Sequence, residues 1–230
     1  MNSENQIAPG TLTWNIVWRF LGALLICVMM FFIPAGTLSY WEAWVYLAVL
    51  FIPVLLVIVY FIKRDPGLLE RRMRMKEKEE AQKLIIKLSS VFLLITFLLP
   101  GFDKRFAWST VPPAVVIAAD AVVLSAYALF AWVLKENRYA SRIIEVEQQQ
   151  KVVTTRPYAL VRHPMYLAAV LMYIFSPLAL GSFWAAIPAV LLPVLLVARI
   201  RNEESVLMRE LEGYQEYSGK VRYRLIPGIW

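Results

Sequence analysis

Six apolar runs, at about residues 14–33, 41–63, 84–100, 110–134, 165–180 and 182–198, commit this chain to helices in a lipid bilayer. A spanning helix needs roughly 20 apolar residues at about 1.5 Å each, so the first four runs are long enough and the last two are short. Gly181 and Ser182 join the short pair into a tight hairpin. Pro177, Pro188 and Pro193 lie within it and are expected to kink it, which a membrane helix tolerates where neighbours or cavity water satisfy the freed carbonyls. Composition agrees: 60% of the residues are hydrophobic and 18% charged, against about half and a quarter in soluble domains. The expected fold class is an all-α integral membrane protein with about six hydrophobic helices, the last two a short hairpin.

A net charge of +7 invites a nucleic-acid reading, but the basic residues cluster between the apolar runs. That placement suits topology signals and anionic headgroups, so membrane lipids are the expected partners and nucleic acid is not. The loop at 63–83 carries Lys63, Arg64, Arg71, Arg72, Arg74, Lys76, Lys78 and Lys83, whereas residues 34–40 carry no charge. Lysine and arginine bias therefore puts the 63–83 loop in the cytoplasm, and alternation puts both termini, residues 135–162 and residues 199–230 on the same side. The loop mixes both charge signs with leucine and methionine, so it reads as an interfacial helix. Residues 1–13 lack a basic leader, and the first run reads as a retained anchor. Short loops and the lack of sorting signals point to a bacterial inner membrane.

Cys27 is the only cysteine and His163 the only histidine. An intrachain disulfide is impossible, and no Cys/His metal cluster is expected. No G-x-G-x-x-G or P-loop occurs, and no soluble stretch could hold a βαβ unit, so a nucleotide-like ligand has to bind among the helices.

The polar chemistry collects in two places. One is Thr155-Arg156-Pro157-Tyr158-Ala159-Leu160-Val161-Arg162-His163-Pro164-Met165-Tyr166, which leads into the fifth run. Pro164 suits the first turn of that helix, placing His163 at an N-terminus that favours an anionic group. The other is Arg199, Glu203 and Glu204, leaving the sixth run. Arg199 and Glu203 are four apart and share a face, which suits one anionic and one cationic ligand group in a single pocket. The hairpin can bring both places together. The tail, with Tyr214, Tyr217 and Arg222-Tyr223-Arg224-Leu225-Ile226-Pro227-Gly228, reads as an interfacial helix with a membrane-hugging end.

The order R-P-Y-x-x-V-R-H-P-M-Y, a hydrophobic hairpin, R-I-x-N-E-E-x-x-L and then G-Y-x-x-Y-x-x-x-V-R-Y-R-L-I-P-G resembles the isoprenylcysteine carboxyl methyltransferase family and the related membrane phospholipid methyltransferases. The specific similarity covers about 135–230. It implies transfer of a methyl group from S-adenosylmethionine, bound in a cytoplasmic C-terminal region. Residues 1–134 are then four N-terminal membrane helices, and 135–230 the catalytic region containing the hairpin 165–198. The cofactor contacts implied are Gln150, Lys151, Val152, Val153, Tyr158, His163, Pro164, Met165, Tyr166 and Glu203. Arg199, Glu203 and Arg162 are the implied catalytic residues, with Arg199 and Glu204 on the acceptor. Arg156 departs from the glycine that the family usually has before the Pro-Tyr pair, and Leu211 is the nearest apolar match to an altered Phe-Gly spacing.

A carboxylate is already ionised at neutral pH, so methylating it needs alignment, exclusion of water and a cation on its oxygens, and no general base. The acceptor is expected to be a lipid or a lipidated small molecule or protein. Phospholipid N-methylation is the nearest variant. A sterol- or steroid-type NADPH reductase shares the Tyr-x-x-Tyr and Arg-Tyr-Arg tail, and a lipid-binding or transport protein is the non-enzymatic reading. Asp120, mid-helix in the fourth run, reads as a neutral, hydrogen-bonded structural acid.

Overall fold

The computed structural model describes residues 9–73, 80–144, 146–147 and 149–230. Among these residues the chain is all-helical: α1 (Pro9–Ala35), α2 (Trp41–Arg64), α3 (Pro66–Met73), α4 (Glu80–Phe106), α5 (Pro113–Glu136), α6 (Pro164–Ala179), α7 (Ala186–Glu210) and α8 (Tyr214–Lys220), with a 3₁₀ turn at Arg156–Ala159. Four of them, α1, α2, α4 and α5, are long and apolar enough to cross a membrane, and α6 is a shorter apolar helix. Their outward faces carry bare hydrocarbon. Ile33 is 68%, Leu56 65% and Ile117 60% exposed, an arrangement stable only against lipid. This is an integral membrane protein.

Asp65 shows how the basic loop is built. Its N–H bonds to Phe61 O at 2.9 Å and closes α2, and its Oδ1 accepts the N–H of Leu68 at 3.0 Å. With Pro66 next, this is an N-cap followed by a first-turn proline, and α3 starts there. Leu68 and Leu69 bury against Leu12, Ile16, Phe61 and Leu134, so the first part of the loop is a helix, α3, packed on the bundle. Residues 74–79, with Arg74, Lys76 and Lys78, lie outside the described residues.

The α6–α7 hairpin has a longer turn than the Gly181-Ser182 pair suggests. Gly181 takes φ +73°, but α7 starts only at Ala186, because Ser182 Oγ accepts the N–H of Ala185 at 3.1 Å and donates to Asp103 Oδ2 at 2.5 Å. Asp103 also takes both the N–H (2.7 Å) and the hydroxyl (2.6 Å) of Ser109, tying the end of α4 to the hairpin. Pro188 is the third residue of α7, where no intrahelical partner awaits its missing N–H, so it starts the helix and does not kink it. Pro177 and Pro193 do lie within α6 and α7.

Two buried tyrosines, one at the N-cap of α2 and one within it, hold the hairpin. The Tyr40 hydroxyl donates to the carbonyl of Leu180 at 2.5 Å, satisfying an orphan at the end of α6, and Tyr46 donates to Ser176 Oγ at 2.6 Å. Asp120 departs from expectation: it is buried, and neither carboxyl oxygen has a hydrogen-bond partner. Tyr46, within electrostatic reach, has spent its hydroxyl on Ser176.

Gly101 sets the approach of α1 to α4. A Cβ there would lie 2.7 Å from Phe31 O and 2.9 Å from Pro34 Cβ. Alanine would raise helix propensity by about 1 kcal/mol, but its methyl has no room, and overpacking costs about 1–3 kcal/mol. Gly101→Ala is expected to lower the thermal midpoint of the detergent-solubilised protein and Gly101→Val to lower it further; an unchanged midpoint for valine would show that the helices separate freely.

Candidate active site

The polar end is assembled by main-chain docking. The strap between α5 and α6 and the C-terminal tail pair through Arg162 N to Tyr223 O and His163 N to Arg224 O, both 2.9 Å. The amides of Arg224, Leu225 and Ile226 converge on Trp230 O, folding the tail back on itself. Tyr217 donates its hydroxyl to Tyr158 O at 2.7 Å, and Asn137 Nδ2 donates to the Tyr158 hydroxyl at 2.8 Å. Burial pushes the Tyr158 phenol up to about 12, against the Asn137 hydrogen bond, so it is neutral at physiological pH. Just before it, Arg156 sits at φ +56°, the left-handed region that glycine occupies without strain.

Glu204 is the hub. It is 6% exposed, and its carboxylate faces three basic side chains: Arg162 Nε at 2.9 Å, His163 Nε2 at 3.2 Å and Arg224 Nε at 2.7 Å. Burial opposes its charge, but hydrogen bonds from His163 and Arg224, with the charges of His163 and Arg162, hold its carboxyl below the ordinary range. The strap, α7 and the tail are thereby fixed to one another. His163 caps α6 by position only, since its ring is turned onto Glu204.

One helical turn away, Tyr166 links the remaining pair. Its hydroxyl donates to Glu203 Oε2 and accepts from Arg199 Nε at 3.0 Å. Arg199 spreads its other nitrogens to Gln82 Oε1 (3.1 Å) and the Arg142 carbonyl (2.8 Å). The guanidinium is thus held from three directions.

Two cavities meet here. The first holds about 870 Å³ of empty space including its mouth. All ten residues expected to contact the cofactor line it: Gln150, Lys151, Val152, Val153, Tyr158, His163, Pro164, Met165, Tyr166 and Glu203, with Arg162 beside them. The second, of about 1500 Å³ on the same measure, runs between α2, α4, α5, α6 and α7 and is mostly apolar, with Arg72, Arg142 and Arg199 among its lining. Ser141, Met165 and Tyr166 line both. Arg199 is in the second cavity only, and Glu204 lines neither.

Sequence reasoning missed part of the first cavity's wall. Asn137, Tyr139, Ala140, Ile143 and Ile144 come from the strap, and Leu207, Leu211, Tyr214 and Tyr217 from α7 and the tail. The signal available was Asn137, a polar residue placed where α5 has to stop. Tyr214 is the informative addition: it is buried against the cavity and its hydroxyl has no partner, an orphan that a polar ligand would satisfy.

The sequence model of the isoprenylcysteine carboxyl methyltransferase (ICMT) family matches residues 115–209. No protein of curated function matches the chain.

Proposed function

On the match of residues 115–209 to the ICMT family model, we propose that the chain is a membrane methyltransferase that uses S-adenosylmethionine to esterify the carboxylate of an isoprenylcysteine-like or other lipid acceptor. The observation that carries this reading is the shared wall of Ser141, Met165 and Tyr166, which brings a polar cavity against an apolar one that reaches into the bilayer. The polar cavity suits the cofactor. Glu203 offers an acceptor for its amino or ribose groups, the unpartnered Tyr214 hydroxyl another polar contact, and Val152, Leu207 and Leu211 apolar surface for a base. When bound there, the cofactor supplies an electrophilic methyl group on a sulfonium.

The protein's own residues do the rest. Arg199, locked by Tyr166, Gln82 and Arg142, presents a cation to the acceptor carboxylate. Tyr166 couples that cation to Glu203 across the wall. The surrounding hydrocarbon excludes water, which would otherwise shield the oxygens. Glu204 acts as the anchor of Arg162 and His163 and not as an acceptor contact. An amine acceptor fits less well, because the described residues that line the second cavity include three arginines and no acid. Both cavities lie at the end of the bundle with Arg64 and Arg71, so we place them in the cytoplasm.

The test is methyl transfer from labelled S-adenosylmethionine to N-acetyl-S-farnesylcysteine in sealed inside-out vesicles. A base-labile labelled product, formed with cofactor added outside, is expected. A base-stable methylamine on vesicle phospholipid, or oxidation of NADPH, would replace this reading, and transfer only after the vesicles are opened would reverse the orientation.

A further inference from the structure

Arg72 is a partly buried cation with no carboxylate beside it among the described residues. Its Nη1 donates to the Ser141 carbonyl at 3.0 Å and lies 3.5 Å from Met165 Sδ, and its guanidinium sits 5.3 Å from the centre of the Phe130 ring. None of these partners carries a negative charge. Arg142 and Arg199, which share its sign, act on it electrostatically. Burial draws its pKa below the ordinary value, the mark of a charge taken out of water without compensation. A buried guanidinium is normally paired, and one held among neutral groups in a cavity is completed by an anionic ligand.

Its position says which ligand. Arg72 comes from α3 and lines the apolar cavity at Ser141 and Met165, two of the three residues shared with the cofactor cavity. Arg199 reaches the same cavity from α7 and lies against Tyr166, the third shared residue. Two arginines on different helices therefore flank the place where the cavities meet. Arg199 already shares its nitrogens among Tyr166, Gln82 and the Arg142 carbonyl, so a second guanidinium from a separate element supplies the donors that complete the hold on a carboxylate.

Resting on the methyltransferase reading above, we propose that Arg72, from outside the family-matched segment, is the second arginine that holds the acceptor's carboxylate and restricts the enzyme to anionic lipid acceptors. The amphipathic packing of Leu68 and Leu69 turns α3 so that Arg72 faces inward, and the N-cap at Asp65 sets where that turn begins. The loop residue read from sequence as a topology signal becomes a selectivity residue.

The test is equilibrium binding of N-acetyl-S-farnesylcysteine and of its neutral carboxamide to the detergent-solubilised full chain, with S-adenosylmethionine affinity measured in parallel. The wild type is expected to prefer the carboxylate. Arg72→Gln is expected to weaken carboxylate binding 5-fold or more, leaving the carboxamide and the cofactor within about 2-fold; Arg72→Lys should recover part of the preference. Equal losses for carboxylate and carboxamide would make Arg72 a packing residue tying α3 to the strap, and no loss would remove it from the site; either overturns the proposal while wild-type carboxylate preference keeps the function standing. A wild type that prefers the carboxamide or a farnesyl amine overturns the acceptor class, and this proposal with it.

Discussion

Replacing Glu204 with alanine is expected to destabilise the protein by about 3–5 kcal/mol, because it strips the counter-charge from Arg162, a cation that remains buried. Arg162 and His163 are 8% and 5% exposed, and neither can retreat to water without pulling the strap off α7. Thermal unfolding in detergent at pH 7 measures the loss, and a midpoint within a degree or two of wild type would show that the three bases find other partners. The same carboxylate sets an acid limit. Its folded pKa lies below the ordinary value of about 4.3, so its contribution is complete above that value and is lost as pH falls through the lower folded one. Wild-type stability should therefore drop below pH ~4 more steeply than that of Glu204→Gln, which is already uncharged.

Arg199→Lys is expected to cut turnover 10-fold or more, about 1.4 kcal/mol or greater in the barrier. Three nitrogens of Arg199 are directed at Tyr166, Gln82 and the Arg142 carbonyl, an array that a single ammonium on a flexible stem cannot reproduce. The cofactor's affinity should change by less than about 3-fold, since Arg199 lines only the second cavity. Steady-state kinetics with direct cofactor binding separates the alternatives. Equal losses of binding and turnover would make Arg199 a structural tie to Tyr166. Full activity in the lysine variant would point to an uncharged or amine acceptor.

Much of the fold was legible because lipid leaves the backbone few options. Apolar runs at 41–63 and 110–134 became α2 and α5 with ends shifted by a few residues, and Pro164 opened α6 where a first-turn proline belongs. The ten residues that the resemblance implies for a cofactor fall on one cavity. What sequence could not give was direction. Arg72 read as one of eight basic loop residues, since nothing in linear order says that α3 rolls it inward. Tyr214 read as an interface aromatic, because only tail docking through Tyr223 and Arg224 turns it onto the cavity. Arg156 carries the opposite lesson. The position where the family usually has glycine adopts φ +56°, so the backbone demand is kept by a residue that meets it at a cost of about 1 kcal/mol, partly offset by Glu136 at 3.2 Å.

The Asp103 cluster lies at one end of α4, and Gln82, which bonds Asn202 at 2.6 Å and Arg199 at 3.1 Å, lies at the other. The 21 residue steps from Gln82 to Asp103 make a lever of about 32 Å at 1.5 Å per residue, and a tilt of about 5° around its pinned end moves the far tip by about 3 Å. Asp103, Ser109 and Ser182 act as the fulcrum. A hydrogen-bonded knot remote from any chemistry thus sets the leverage with which a small tilt of one helix is magnified into a full atomic diameter at the guanidinium of Arg199.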